Sequence, residues 1–167
     1  DKTGTLTKGA HVVTGVAAAE GWNEAEVLRI AGAVESDSEH PLARAISTRA
    51  AADGPVPEAT DFRSRTGRGV EASIDGTQYL VGGPALLRES GAEVPQELAA
   101  PAGGWERRGA AVLYLLQEAR VIGAFELEDE IRPEAREAVS DLQDMGVQVV
   151  MITGDARQVA DAVGAEL

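Results

Sequence analysis

Two hydrophobic periods divide the chain, and the place where one gives way to the other narrows its architecture more than any other feature. Over residues 61–81 apolar and polar positions alternate around turn signals at Gly67-Arg68-Gly69 and Asp75-Gly76, and two further strand-like segments, 110–117 and 121–127, are joined by the turn Glu118-Ala119-Arg120. Alternation punctuated in this way predicts an antiparallel meander with strands ending near Ile74 and running through residues 79–81, 110–117 and 121–127. Beyond it the period lengthens. Pro133 opens a predicted helix with Ala135, Ala138, Val139 and Leu142 on one face, and Gly146 closes it. Residues 147–152, apolar at every position but Gln148, read as a buried strand, followed by the turn Thr153-Gly154-Asp155 and a last helix. A helix–strand–helix run is half of a parallel, doubly wound sheet, and a strand at the chain start would join the same sheet. The predicted fold is therefore α/β: an incomplete parallel sheet built from residues 1–8 and 125–167, with residues 9–124 inserted as an α+β domain around an antiparallel sheet.

Within the insert, residues 11–19 read as a strand, and Asn23 followed by Glu26 reads as a capping box for a helix through about Ser36. Pro41 opens a second helix whose Leu42, Ala45, Ile46 and Ala50 recur at helical spacing, and Asp53-Gly54-Pro55 ends it. A short helix from Pro84 to near Gly91 and another over residues 94–99 follow, with residues 101–109 read as loop. A chain of 167 residues that is 44% hydrophobic has enough apolar surface for an ordinary core. It contains no internal repeat and no low-complexity tract.

The chemistry concentrates at the first seven residues, Asp1-Lys2-Thr3-Gly4-Thr5-Leu6-Thr7. A carboxylate beside a tight Thr/Gly turn can accept a phosphoryl group while backbone amides hold its oxygens. Being a weak nucleophile, it needs in-line positioning and cations to offset repulsion from the incoming phosphate. Lys2 and Mg²⁺ are the candidates, the ion taking oxygens from Asp1 and Thr3. Fast hydrolysis of an aspartyl phosphate would require a second carboxylate two residues on as general acid/base, and that position is Thr3. The acyl phosphate is thus expected to persist. At the carboxyl end of the predicted C-terminal strand, Thr153 could bond phosphoryl oxygens and Asp155 could approach the metal or its water shell. A Thr-Gly-Asp turn alone is common; with the opening motif it gains weight.

A net charge of −13 opposes binding to nucleic acid or anionic lipid, so no nucleic-acid partner is expected. The same charge repels a nucleotide at long range, leaving local amides, Mg²⁺ and a few fixed side chains to hold one. There is no cysteine for a disulfide or thiolate site, which is compatible with the cytosol. No segment approaches the roughly 20 apolar residues of a membrane helix and no signal peptide precedes Asp1, so the chain as given is expected to be soluble.

Four strings, in order, resemble the P-type ATPases, ion pumps that work through an aspartyl phosphate. They are the opening heptad; Glu35-Ser36-Asp37-Ser38-Glu39-His40-Pro41; Asp129-Glu130-Ile131-Arg132-Pro133; and Met151-Ile152-Thr153-Gly154-Asp155. The second contains the Ser-Glu-His-Pro signature of the heavy-metal branch. The resemblance implies a haloacid-dehalogenase-like phosphorylation domain with an inserted nucleotide-binding domain, and ATP with Mg²⁺ as cofactors. It implies that Glu35, His40, Gly67 and Gly69 hold the nucleotide and that Asp1, Lys2, Thr3 and Thr153 serve phosphoryl transfer. Asp129 and Arg132 would lie at the hinge between the domains. The parent would be a membrane-embedded metal exporter, with copper the metal its wording approaches most, and with membrane and actuator domains elsewhere in the same chain. This region would be its cytoplasmic part. Two departures stand out: Val81-Gly82-Gly83-Pro84 occupies a place where many relatives carry Gly-Asn, and the family's Gly-Asp-Gly-x-Asn-Asp segment, with its Mg²⁺-binding aspartate, is absent before Leu167. Residues alone keep two alternatives open: a soluble phosphatase or phosphotransferase of the haloacid-dehalogenase type, against which Thr3 argues, and a fragment that binds nucleotide without being phosphorylated. His11 lies in a predicted strand with no partner in sequence and reads as structural.

Overall fold

A computed structural model describes residues 1–153 and 157–167, apart from the side chain of Gln158. Its centre is a six-stranded antiparallel sheet in the order β1-β6-β5-β4-β3-β2, formed by β1 (Thr7–Ala18), β2 (Thr60–Arg65), β3 (Gly69–Ile74), β4 (Thr77–Gly82), β5 (Ala111–Gln117) and β6 (Arg120–Ile131). The predicted meander is therefore present. Its β3–β4 turn has Asp75 at φ 50° and Gly76 at φ 78°, both left-handed, as a two-residue hairpin loop requires.

Period-two alternation in these strands feeds two cores, one on each face. Val81, Leu115, Ile122, Phe125 and Leu127 point to the face covered by α1 (Glu24–Val34) and α2 (Pro41–Asp53), where they meet Val27, Leu28, Ala31, Val34, Ile46 and Ala50. Leu80, Val112, Tyr114, Leu116, Val121 and Ala124 point to the other face, against Leu86 of α3 (Pro84–Ser90) and Leu98, Ala102 and Trp105 of α4 (Gln96–Arg107). Asn23 caps α1 by accepting the Glu26 amide at 2.8 Å, and Gly91, at φ 63°, closes α3.

The structure corrects several expectations. Helix α4 runs through the predicted loop at 101–109 and carries Pro101 in its interior. An interior proline costs a helix about 3 kcal/mol. Burial of Leu98, Ala102 and Trp105 along one stripe offsets it. The segment opening β1 pairs antiparallel with β6, from Thr7 opposite Ile131 onward, rather than entering a parallel sheet. Residues 147–152 form no strand. A strand needs neighbours for its amides and carbonyls, and the only edges of the described sheet are β1 and β2. Helix α5 (Pro133–Asp144) buries Ala135 and Val139, while Ala138 and Leu142 face solvent. The last helix, α6 (Arg157–Glu166), follows, and Arg136 Nε of α5 donates to its Glu166 carbonyl at 2.6 Å.

Candidate nucleotide cavity and acyl-phosphate loop

Four of the predicted site residues share one cavity. Glu35, His40, Gly67 and Gly69 line a hollow of about 410 Å³ together with Ser38, Leu42, Arg65, Arg68, Gly82 and Leu113, among others. That volume suits a small-molecule ligand. The α1–α2 turn brings the first two residues there: Glu35 ends α1 and His40 caps α2. The two helices can approach because Gly32 lies against Ala50, where a β-carbon would come within 2.4 Å of the alanine methyl.

Glu35 is only 5% exposed, and burial pushes its carboxyl up to about 7, against a smaller opposing pull from the Ser38 hydroxyl. His40 is exposed, yet its ring is oriented because Nδ1 accepts the Leu42 amide at 3.2 Å. With Nδ1 accepting, the neutral imidazole carries its proton on Nε2 and offers a donor. The two glycines differ. Gly67, at φ 71°, has open space where a side chain would start. Gly69, at φ 133°, would place a β-carbon 2.0 Å from the Val81 carbonyl oxygen, so glycine is demanded there by the chain's own packing. Val81-Gly82-Gly83-Pro84 lies beside it, and Gly82, Gly83 and Pro84 line the cavity.

Sequence reasoning missed the charged rim of this hollow. Arg65 Nε lies 2.8 Å from Oε2 of the buried Glu71, and Arg68 donates to Glu89 Oε1 at 3.0 Å. The acids lie six and 21 residues from their arginines, beyond any local motif; the one available signal was an arginine between two glycines.

The opening heptad forms a turn around Gly4, at φ 76°, closed by the Thr7 amide donating to the Lys2 carbonyl. Asp1 is exposed and Thr5 Oγ1 donates to its Oδ2 at 3.4 Å, while Lys2 is buried. Residues predicted at the hinge clasp this loop. Thr7 Oγ1 donates to Asp129 Oδ2 at 2.6 Å, Arg132 Nε to the Thr7 carbonyl at 3.2 Å and Arg132 Nη2 to the Gly4 carbonyl at 3.4 Å. Lys2 and Asp129 line a second hollow of about 540 Å³, with His11 and Glu166. Asp1, Lys2, Thr3 and Thr153 do not line the Glu35–His40 cavity. Asp155 lies outside the described residues. Mg²⁺ binds through one or two carboxylates plus phosphate oxygens. Asp1, with an exposed carboxylate beside Thr3, has that donor chemistry, although the described residues hold no group of three or more ligating side chains.

Comparison with known proteins follows the same lines. The sequence model of the haloacid dehalogenase-like hydrolases matches residues 1–167. The copper-exporting P-type ATPase B of Archaeoglobus fulgidus is 40% identical over 170 residues, covering 100% of this chain and 24% of that protein. A solved zinc-transporting PIB-type ATPase superposes with a TM-score of 0.89 at 35% identity, over 100% of this chain and 27% of the other. The N-domain of a copper-transporting P-type ATPase matches 71% of this chain and 98% of its own length, with a TM-score of 0.58 and 30% identity. This chain thus spans about a quarter of the full-length pumps it resembles.

Proposed function

Because this chain belongs to the haloacid dehalogenase-like hydrolases and is homologous to heavy-metal P-type ATPases, we propose that it is the ATP-binding and phosphorylation region of such a pump. The observation that carries this reading is the convergence of Glu35, His40, Gly67 and Gly69, from separate parts of the sequence, on one cavity. Adenine's exocyclic amine only donates, and the Glu35 carboxyl oxygen accepts it. His40 Nε2 donates to, or its ring stacks on, the purine. Gly67 keeps the approach to the sugar and phosphates clear.

In the parent, Asp1 Oδ attacks the γ-phosphorus, an Oδ–P bond forms, and the bond from phosphorus to the bridging oxygen breaks so that ADP leaves. Mg²⁺ supplies neutralising charge on the phosphate oxygens when bound. Lys2, Thr3 and Thr153 share the charge of the transferred phosphoryl group, while Asp129 holds the Thr7 hydroxyl and Arg132 the Gly4 and Thr7 carbonyls of the Asp1 loop. With Thr3 in place of a second acid the acyl phosphate persists, and its free energy drives metal export. Copper is the proposed cargo, the metal named for the 40%-identical relative. The ion binds in the membrane part of the parent, and residues 9–124 and the two flanking segments act as nucleotide-binding and phosphorylation domains respectively.

For this chain by itself a second reading is favoured by one observation: residues 147–152, expected in the phosphorylation sheet, form no strand. The chain alone is proposed to bind ATP without efficient self-phosphorylation. His40→Ala should weaken ATP binding about tenfold in calorimetry, the loss of one hydrogen bond or stacking contact; unchanged affinity would remove His40 from the nucleotide site. In a full-length parent, Asp1→Asn should abolish the acid-stable phosphoenzyme, and a persisting label would exclude Asp1 as nucleophile.

A further inference from the structure

A chain with net charge −13 that binds a nucleoside triphosphate must meet the phosphates with local cations. Only two permanently cationic side chains line the cavity among the described residues, Arg65 and Arg68, at the turn between β2 and β3. They are held differently. Arg65 is anchored through Nε to the buried Glu71 carboxylate, with Nη1 3.9 Å from Glu89. Arg68 is more exposed, sits between Gly67 and Gly69, and pairs with Glu89 Oε1 of α3 at 3.0 Å. An exposed pair of this kind contributes little and is readily exchanged. A guanidinium keeps its full charge and presents a planar fork that matches phosphate oxygens.

On the reading that this cavity takes ATP, we propose that Arg68 is its phosphate-binding residue. In the free protein Glu89 holds the Arg68 guanidinium at the cavity rim, and the guanidinium exchanges that carboxylate for the nucleotide's phosphates. Arg65, fixed by Glu71, supplies a second positive charge without moving. Glu89 acts as a positioning residue that competes with the ligand, so nucleotide selection by phosphate number is set on the β2–β3 turn, apart from adenine selection at Glu35 and His40.

Calorimetry of the 167-residue chain with adenosine, AMP and ATP separates these roles. Arg68→Ala should weaken ATP about tenfold, the loss of one charge-assisted contact, and leave adenosine within about twofold. Arg68→Lys should recover part of the ATP loss, since charge returns without the fork. Glu89→Gln should tighten ATP about threefold with adenosine unchanged, because the competing carboxylate is gone. Equal losses for adenosine and ATP in Arg68→Ala, or ATP affinity unchanged in that variant, would overturn the assignment of Arg68; an unchanged or weakened ATP affinity in Glu89→Gln would overturn the exchange. If Arg68→Ala binds ATP normally while His40→Ala loses adenosine, the nucleotide reading survives and this inference fails. A wild-type chain that binds neither adenosine nor ATP would overturn both.

Discussion

Glu35 shows how a single side chain ties stability to ligand chemistry. Burial lifts its carboxyl from 4.5 to about 7 in the folded protein. The native state therefore holds this proton more tightly than the unfolded chain. Its stabilising contribution is complete below pH 4.5 and is lost as pH rises through about 7; by linkage the loss amounts to about 3 kcal/mol. Glu35→Gln removes the titration, so thermal unfolding should become flatter with pH between about 5 and 8 while the wild type declines. Parallel slopes in the two proteins would show that Glu35 is not the group responsible. At this scale the sequence was informative wherever chemistry depends on residue type: a carboxylate, an imidazole before proline and glycines in a turn are legible as letters. The burial of Glu35 at the end of α1 and the pairing of Arg68 with Glu89 of α3, 21 residues on, depend on tertiary placement, which no short string records.

Among the elements, the β2–β3 turn is where structure and site meet. Its two glycines look alike in sequence and differ in what they permit. Gly69→Ala drives a β-carbon into the Val81 carbonyl and Gly82, so the variant should lose several kcal/mol of stability, on the order of 2–4. Gly67→Ala meets no atom within 4 Å and suffers only its positive φ; a loss of about 1 kcal/mol is expected, with ATP affinity falling as the methyl enters the phosphate approach. Denaturant midpoints for both variants check this ordering, and equal destabilisation would contradict it. The hairpins were legible because Asp75-Gly76 and its neighbours specify turn geometry locally. Helix α4 was not, since Pro101 signals a break, and only the tertiary burial of Leu98, Ala102 and Trp105 overrides it.

For the whole molecule, two helix layers enclose one antiparallel sheet, and residues 141–150 all face solvent. Val150 is 69% exposed and Ile152 74%. Their apolar run predicted a buried strand, but such a run records what a segment is suited to pair with, and among the described residues no strand pairs with it. Amides of residues 148–152 should therefore exchange with deuterium close to unprotected rates, while those of β4, β5 and β6 stay protected; strong protection at 148–152 would show that they are paired in solution. The central claim is that the Glu35–His40 cavity holds adenine nucleotide. It is tested most directly by following backbone amide resonances as ATP is titrated into this chain. The account predicts shifts concentrated at residues 35–42, 64–70 and 82–85; shifts gathered instead around Lys2, His11 and Asp129, or none at all, would contradict it.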